Sequence, residues 1–448
     1  MTKQATAEAR TELRRSILDA AWRTVRDKHY DKTLGGLDWT ATRAKYEPMA
    51  LGAPSEPAFY RVVNQMIGEL GQSHMLVTGP GDDDDDDAQD LAATAEAGTA
   101  GARPAATGAT TNPGADAAAG PAGGPQSLDG VGDPGLTVRV IEGRPTVTQV
   151  REGSSAERAG IRPGFLVTAI AGRPLAAPRS TGRSLRPVEE RFAMRRAASR
   201  RLHGATGTRV TVAYLDDKDK PGNAVLVREQ PKTPPVRLGY LPPLYPEVRA
   251  VEVNGVGIVS FNVFLVQPVL EDLKRAVARF VAHHVQAIVL DLRGNPGGQG
   301  AMAIPVGSLF VAAPVTLGTL KFRDFNQTLI AKPEMGAKPF SGPLAILTDE
   351  GTASAAEMLA AGLQEAKRAV VVGDASLGAV LPSVIESLPG GAVMQYVVAD
   401  FKTEKGVLLE GRGVQPDRRV VETRAGLRTG RDPVLDAALV AVRASRRP

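Results

Sequence analysis

From residue 236 onward, apolar strands alternate with helical stretches, and this alternation constrains the fold more than any other feature of the chain. "GVGIVSFNVF" reads as a strand, "PVLEDLKRAVARFVAHH" as a helix opening on Pro268, "QAIVLDLRGN" as a buried strand and "AMAIPVGSLFV" as a helix. The strands "VTLGTLKFRD" and "PLAILTD" follow, then a helix beginning at Ser354 and the strand "RAVVVG". Apolar strands joined by helices predict an α/β layered core with parallel pairings.

The preceding sequence is patterned differently. Residues 8–30 read as a helix with Leu13, Ile17, Ala21 and Val25 at four-residue spacing. "PAFYRVVNQMIGEL" is a second helix, with Phe59, Val62, Val63, Met66, Ile67 and Leu70 on one face and Gly71 as its stop. "QSHML" should leave that helix in extended form. At Asp82–Asp87 a run of aspartates opens an Ala/Gly/Thr/Pro-rich tract lasting to about residue 128. It lacks the apolar content that would offset ordering entropy, and predicts a disordered linker. Between about 134 and 233 come short strands and turns, interrupted by the Arg-rich helix "PVEERFAMRRAASRRLHG", whose arginines are expected on a solvated face. The expected division is a helical region over 1–80, a linker over 81–130, a β-domain over 131–235 and the α/β core over 236–448.

Composition removes several function classes. With no cysteine, disulfides, thiolate nucleophiles and cysteine-bound metals are excluded. Aromatic residues make up 4% and the net charge is +5, too few and too mild for a nucleic-acid partner. No apolar run has the length of a signal-peptide core or a membrane span, so the sequence as written predicts a soluble, cytoplasmic chain without an integral membrane segment.

Two loops carry the candidate chemistry. Ser354 and Glu357 form the S-x-x-E pattern of a capping box, which explains the serine without any chemistry. The small neighbours Ala353, Ala355 and Ala356 leave its hydroxyl open, and a helix N-terminus offers unpaired amides to a developing oxyanion, which suits a nucleophile. In "LDLRGNPGGQG" a buried strand ends in a glycine turn whose backbone can approach a ligand closely. One amide from Gly297 or Gly298, with that of Ala355, would complete an oxyanion hole.

The motifs "LDLRGNPGG", "GTASAAEMLAAGLQEAKRAVVVG" and, at 409–417, "LEGRGVQPD" together resemble the tail-specific, or C-terminal-processing, serine peptidases, including their tricorn-core-like branch. "GSSAERAGIRPGFLVTAIAGRPL" at 153–175 resembles the PDZ domain many members insert, with Phe165 where an Asp is usual. "GLDWTATRAKYEP" through "GELGQSHM" resembles their N-terminal helical region. The resemblance implies an α/β multidomain protein: a helical region, a PDZ-like β-domain and a crotonase/ClpP-like layered peptidase core. It also implies polypeptide substrates taken as extended chains or free C-termini by strand addition, no cofactor or metal, and export in many members; oligomeric state is not legible.

One departure bears on mechanism. Many members use a lysine base 25 residues after the serine, and that position here is Ala379; the polar residue four further on is Ser383. Lys367, 13 residues along, would lie ~20 Å from Ser354 on a helix. His74 stands where the tricorn-like branch carries its catalytic histidine, preceded by the same serine, Ser73; Glu410 corresponds to the carboxylate that orients the polar network. The implied activity is a serine endopeptidase with Ser354 as nucleophile and His74 as base, rising near the ordinary histidine pKa of about 6.5–7. The competing readings are an inactive, PDZ-containing peptide-binding protein and a crotonase-like acyl-CoA enzyme.

Overall fold

A computed structural model describes residues 3–80, 131–175, 185–237, 243–336 and 338–444; the expected linker lies outside the described residues. Three helices open the chain: α1 (Lys3–Lys28), α2 (Trp39–Leu51) and α3 (Glu56–Gly68), followed by the short strand β1 (Leu76–Thr78). Ile17, Ala21 and Val25 are buried as the four-residue spacing requires, whereas Leu13 is 42% exposed. Helix α2 was not legible, because Pro48 and its polar residues blur the repeat. It is tied to α1 reciprocally: the Trp22 indole donates to the Trp39 carbonyl at 2.9 Å, and the Trp39 indole to the Trp22 carbonyl at 3.0 Å. Gly71 does adopt a left-handed φ of 65°, but two residues past the helix C-cap.

The second region is a β-domain: β2 (Leu136–Ile141), β3 (Arg144–Val150), α4 (Ser155–Arg158), β4 (Leu166–Ile170), β5 (Arg173–Pro174), α5 (Pro187–Leu202), β6 (Arg209–Leu215) and β7 (Pro221–Val227). Its sheet runs β2-β3-β4-β6-β7, with β5 paired to β4, and closes on its own apolar cluster around Val147, Ile170, Leu202 and Leu226.

The remaining chain forms the layered core. Its elements are β8 (Val248–Val253), β9 (Val256–Phe261), α6 (Glu271–Ala282), β10 (Ala287–Asp291), α7 (Ala303–Ser308), β11 (Val315–Phe322), β12 (Asn326–Ala331), β13 (Leu344–Thr348), α8 (Ala355–Glu365), β14 (Val370–Gly373), β15 (Ser383–Ser387), β16 (Val393–Val397), β17 (Ala399–Lys402), β18 (Arg418–Arg419), α9 (Arg424–Arg428) and α10 (Pro433–Ala444). A six-stranded sheet, β18-β14-β13-β10-β9-β8, is parallel except where β8 meets β9, as the alternation predicts. Helices α7 and α8 pack on one face and α10 on the other. A helical turn over 268–270 leads into α6, and Gln267 before the proline is extended (φ −125°, ψ 134°), so the helical stretch opens on Pro268 as expected.

The first 80 residues do not stand apart from this core. Strand β1 pairs antiparallel with β16, Leu76 opposite Gln395, making the third strand of a β1-β16-β15 sheet. Apolar residues of α1–α3 share one cluster with Leu381, Met394, Tyr396 and Val397. This pairing fixes the segment around His74 against the core. Among the described residues, no helix is long and apolar enough to cross a membrane.

Candidate active site

Ser354 sits on the bend between β13 and α8 with φ 54° and ψ −123°. A plain N-cap has β-region angles; a non-glycine residue at this φ is strained and is held only where its surroundings over-determine it. Those surroundings are identifiable. The Ser354 N–H donates to the Ala379 carbonyl (2.9 Å) and to the Glu357 carboxylate (3.0 Å), and Ala353 N–H donates to the Asn295 carbonyl (3.0 Å). The Ser354 carbonyl takes the Glu357 N–H at 2.8 Å, so capping does not need the hydroxyl.

Gly297 lies directly against this bend: a Cβ there would be 2.7 Å from Ser354 Cβ and 2.9 Å from the Ala355 nitrogen. Only glycine permits that approach, and its φ of 93° also favours glycine. Of the two glycine amides left open by the sequence, that of Gly297 donates to Asn295 Oδ1 at 2.9 Å. Among the described residues, neither the Gly298 N–H nor the Ala355 N–H has an acceptor.

His74 is not extended as expected; it turns through a left-handed φ of 63° between α3 and β1 and is 1% exposed. Its Nδ1 is 2.6 Å from the Ser73 hydroxyl. Burial pushes the imidazole down to about 3, so it is neutral. Glu410 accepts the Ser73 N–H at 2.8 Å on one oxygen and the Val380 N–H at 3.0 Å on the other, and the Ser73 hydroxyl also hydrogen-bonds it. Burial raises the Glu410 carboxyl, opposed by these donors and by Arg186. The two halves of the site meet at one peptide bond. The Ala379 carbonyl holds the Ser354 backbone, while the Val380 N–H holds Glu410, which holds Ser73 beside His74.

The position where a lysine would stand is closed. Ala379 is 3% exposed and packs with Ala353, Leu377 and, from α5 of the β-domain, Phe192. Ser383, four residues on, is buried and accepts from Gln395 at 2.8 Å.

Three features of the site were missed in the sequence. Glu357 is not merely a cap: fully buried, it gathers the Ser376 hydroxyl (2.5 Å) and the N–H groups of Gly378 (2.7 Å), Ala379 and Ser354 (3.0 Å each). Burial raises its carboxyl to about 7 against those four donors. Asp349 joins the two active loops, accepting the Gly294 N–H at 2.7 Å and the Gly351 N–H at 2.8 Å on the same oxygen. An aspartate ending an apolar strand ahead of Gly-Thr was the available signal. The Arg-rich α5 is not a solvated face. Arg186 donates to the Leu377 carbonyl (2.9 Å), Arg191 pairs with Asp374 (2.9 Å) and Arg195 with Asp349 (3.3 Å), all of them core residues.

Residues 255–420 match the model of peptidase family S41, and residues 11–68 that of the tricorn protease C1 domain. Over residues 255–420 the chain is thus similar to peptidase family S41. Among similar proteins, carboxyl-terminal-processing peptidase 3, chloroplastic, of Arabidopsis thaliana is 28% identical over 274 residues, 59% of this chain and 48% of that one. The carboxy-terminal processing protease CtpA of Bacillus subtilis is 24% identical over 290 residues, 65% of this chain and 55% of that one. The chain thus spans about half the length of the curated relatives it matches. The solved photosystem II D1 C-terminal processing protease covers 90% of this chain and 92% of its own at 20% identity with a TM-score of 0.54, a likeness of fold. The S41 resemblance drawn from the three core motifs is borne out, as is the α/β peptidase core with helices ahead of it.

Proposed function

We propose that this chain is a serine endopeptidase that hydrolyses unstructured or C-terminally exposed polypeptides through an acyl-enzyme on Ser354. The observation that carries the reading is the backbone of Ser354: φ 54° at a sharp strand-to-helix bend, against a glycine, with the Gly298 and Ala355 amides finding no acceptor among the described residues. That conformation serves a nucleophile and is wasted on a cap.

His74 is the base. The Ser73 hydroxyl donates to Glu410 and accepts from His74 Nδ1–H, which leaves the Nε2 lone pair to take a proton. Ser354 Oγ attacks the scissile carbonyl carbon, the Oγ proton moves to Nε2, and the carbonyl oxygen becomes an oxyanion facing the Gly298 and Ala355 amides. Each such donor is worth about 3–4 kcal/mol in the transition state. As the tetrahedral centre collapses the C–N bond breaks and the imidazolium returns its proton to the departing amine. A water then repeats the cycle on the ester and frees Ser354. The β-domain, read as PDZ-like, would present an extended chain or free C-terminus by strand addition.

The test is labelling by a fluorophosphonate, located by peptide mass mapping. The expected result is one adduct on Ser354 and none in a folded Ser354→Ala variant. Equal labelling of that variant removes the assignment.

A further inference from the structure

Three guanidinium groups face five carboxylates where the β-domain meets the core. Arg139, on β2, forks onto Glu350 with two 2.9 Å bonds, and reaches Glu422 at 2.7 Å and Asp349 at 3.2 Å. Arg195, on α5, approaches Asp349 at 3.3 Å and Glu350 at 3.7 Å. Arg293, from the core, pairs with Asp291 (2.6 Å), Asp432 (2.8 Å) and Glu422 (3.0 Å).

Asp349 is the point of contact with the chemistry. Its Oδ1 ties Gly294, in the loop that carries Gly297 and Gly298, to Gly351, in the loop that leads to Ser354. Its Oδ2 faces the two arginines of the β-domain. The Arg195 guanidinium also lies directly on both glycines, where any Cβ on Gly294 or Gly351 would collide with it. The two loops therefore meet beneath one guanidinium and around one carboxylate.

We propose that Arg139 and Arg195 are positioning residues for hydrolysis: from the inserted β-domain, they hold Asp349 so that the Gly298 and Ala355 amides converge on one oxyanion. The inference rests on the serine-peptidase reading. It makes the β-domain part of the transition-state machinery, apart from any peptide it binds.

The charge balance gives a signature that packing alone would not. Burial by itself would raise the Asp349 carboxyl, but Arg139, Arg195 and the two glycine N–H groups bring it down to about 2. The other carboxyl groups around it are Glu350 beside it and Glu422 ahead of α9, both partners of Arg139; burial raises Glu422, opposed by Arg139 and Arg293. In the wild type Asp349 stays ionised across the working range. Without Arg139 the burial effect gains weight, the carboxyl rises, and protonating it loosens the Gly294–Gly351 tie as the pH falls.

The experiment uses the full chain, its fluorophosphonate labelling rate and its cleavage of a short unstructured peptide. Arg139→Met and Arg195→Met should each lower the labelling rate and kcat about ten- to a hundredfold, less than the loss of an oxyanion donor outright, with KM unchanged. The acid limb of kcat in Arg139→Met should move to higher pH. Arg139→Lys, which keeps the charge but not the fork, should recover part of the rate; it is also the variant read if Arg139→Met does not fold. Labelling of the wild type with unchanged rate, kcat and acid limb in the folded variants overturns this inference alone. Absence of any wild-type adduct on Ser354 overturns the peptidase reading and this inference with it.

Discussion

The helical region and the β-domain both lie outside the core in sequence, yet each joins the surroundings of the Ser354 bend by different physics. The helical region joins by apolar burial and sheet pairing: Phe59, Val63, Met66 and Ile67 are fully buried in a cluster that continues into β16. The β-domain completes its own apolar core and meets the catalytic loops mainly through arginines, with Phe192 as a small apolar contact. The proposed base, His74, thus arrives on a surface that cannot be detached without exposing hydrocarbon. The proposed positioning charges arrive on one held by largely buried ion pairs rather than by hydrocarbon.

The sharpest way to break this contrast is to remove the helical region altogether. The fragment 236–448 should show no peptide hydrolysis, because it lacks His74 and leaves β16 unpaired on one side. Turnover comparable to the full chain would place the base elsewhere. Next in size, Met66→Ala should cost about 2–5 kcal/mol through lost burial and a residual cavity, read as a lower Tm. Arg191→Met, which breaks a partly exposed pair with Asp374, should cost less than about 1 kcal/mol. Comparable losses for the two would dissolve the distinction.

Acid provides a subtler comparison. Because burial holds His74 down to about 3, the folded protein binds fewer protons than the unfolded chain below the ordinary pKa of about 6.5. His74 therefore favours the folded state above that pH, and this contribution is lost as the pH falls toward 3. The acid limb of kcat should lie below pH 6.5, not at 6.5–7 as an exposed imidazole would give. His74→Gln should remove most turnover at every pH and flatten the fall of Tm on acidification. An acid limb that stays at the ordinary value would mean that the imidazole works while solvated.

The layered core was legible because its signal is local. Apolar runs and glycine turns between residues 255 and 373 specify strand, loop and helix directly, and Ser354 with Gly297 and Gly298 stands out at their junctions. His74 and Glu410 were legible only by resemblance, since nothing in the composition around either residue marks chemistry. Arg139 and Arg195 were not legible at all, and Asp349 offered only its place at the end of an apolar strand. Their meaning lies in contacts across more than a hundred residues of chain, and an arginine on a strand or helix looks the same whether it meets water or a carboxylate. Leu13 shows the converse: its spacing belongs to the buried stripe, yet it is 42% exposed beside Gly390.

The pairing of Leu76 with Gln395 also sets a timetable for biosynthesis. During translation the histidine emerges early, but the strand that fixes it leaves the ribosome roughly 15 s to a minute later, at about 5–20 residues per second. Until then α1–α3 have no β16 to cover them, and Ser354 is itself made late. On the proposed mechanism, a nascent chain therefore cannot bring His74 and Ser354 to a fixed arrangement before β16 is made. The same delay leaves the apolar faces of the first three helices open to chaperones for most of synthesis.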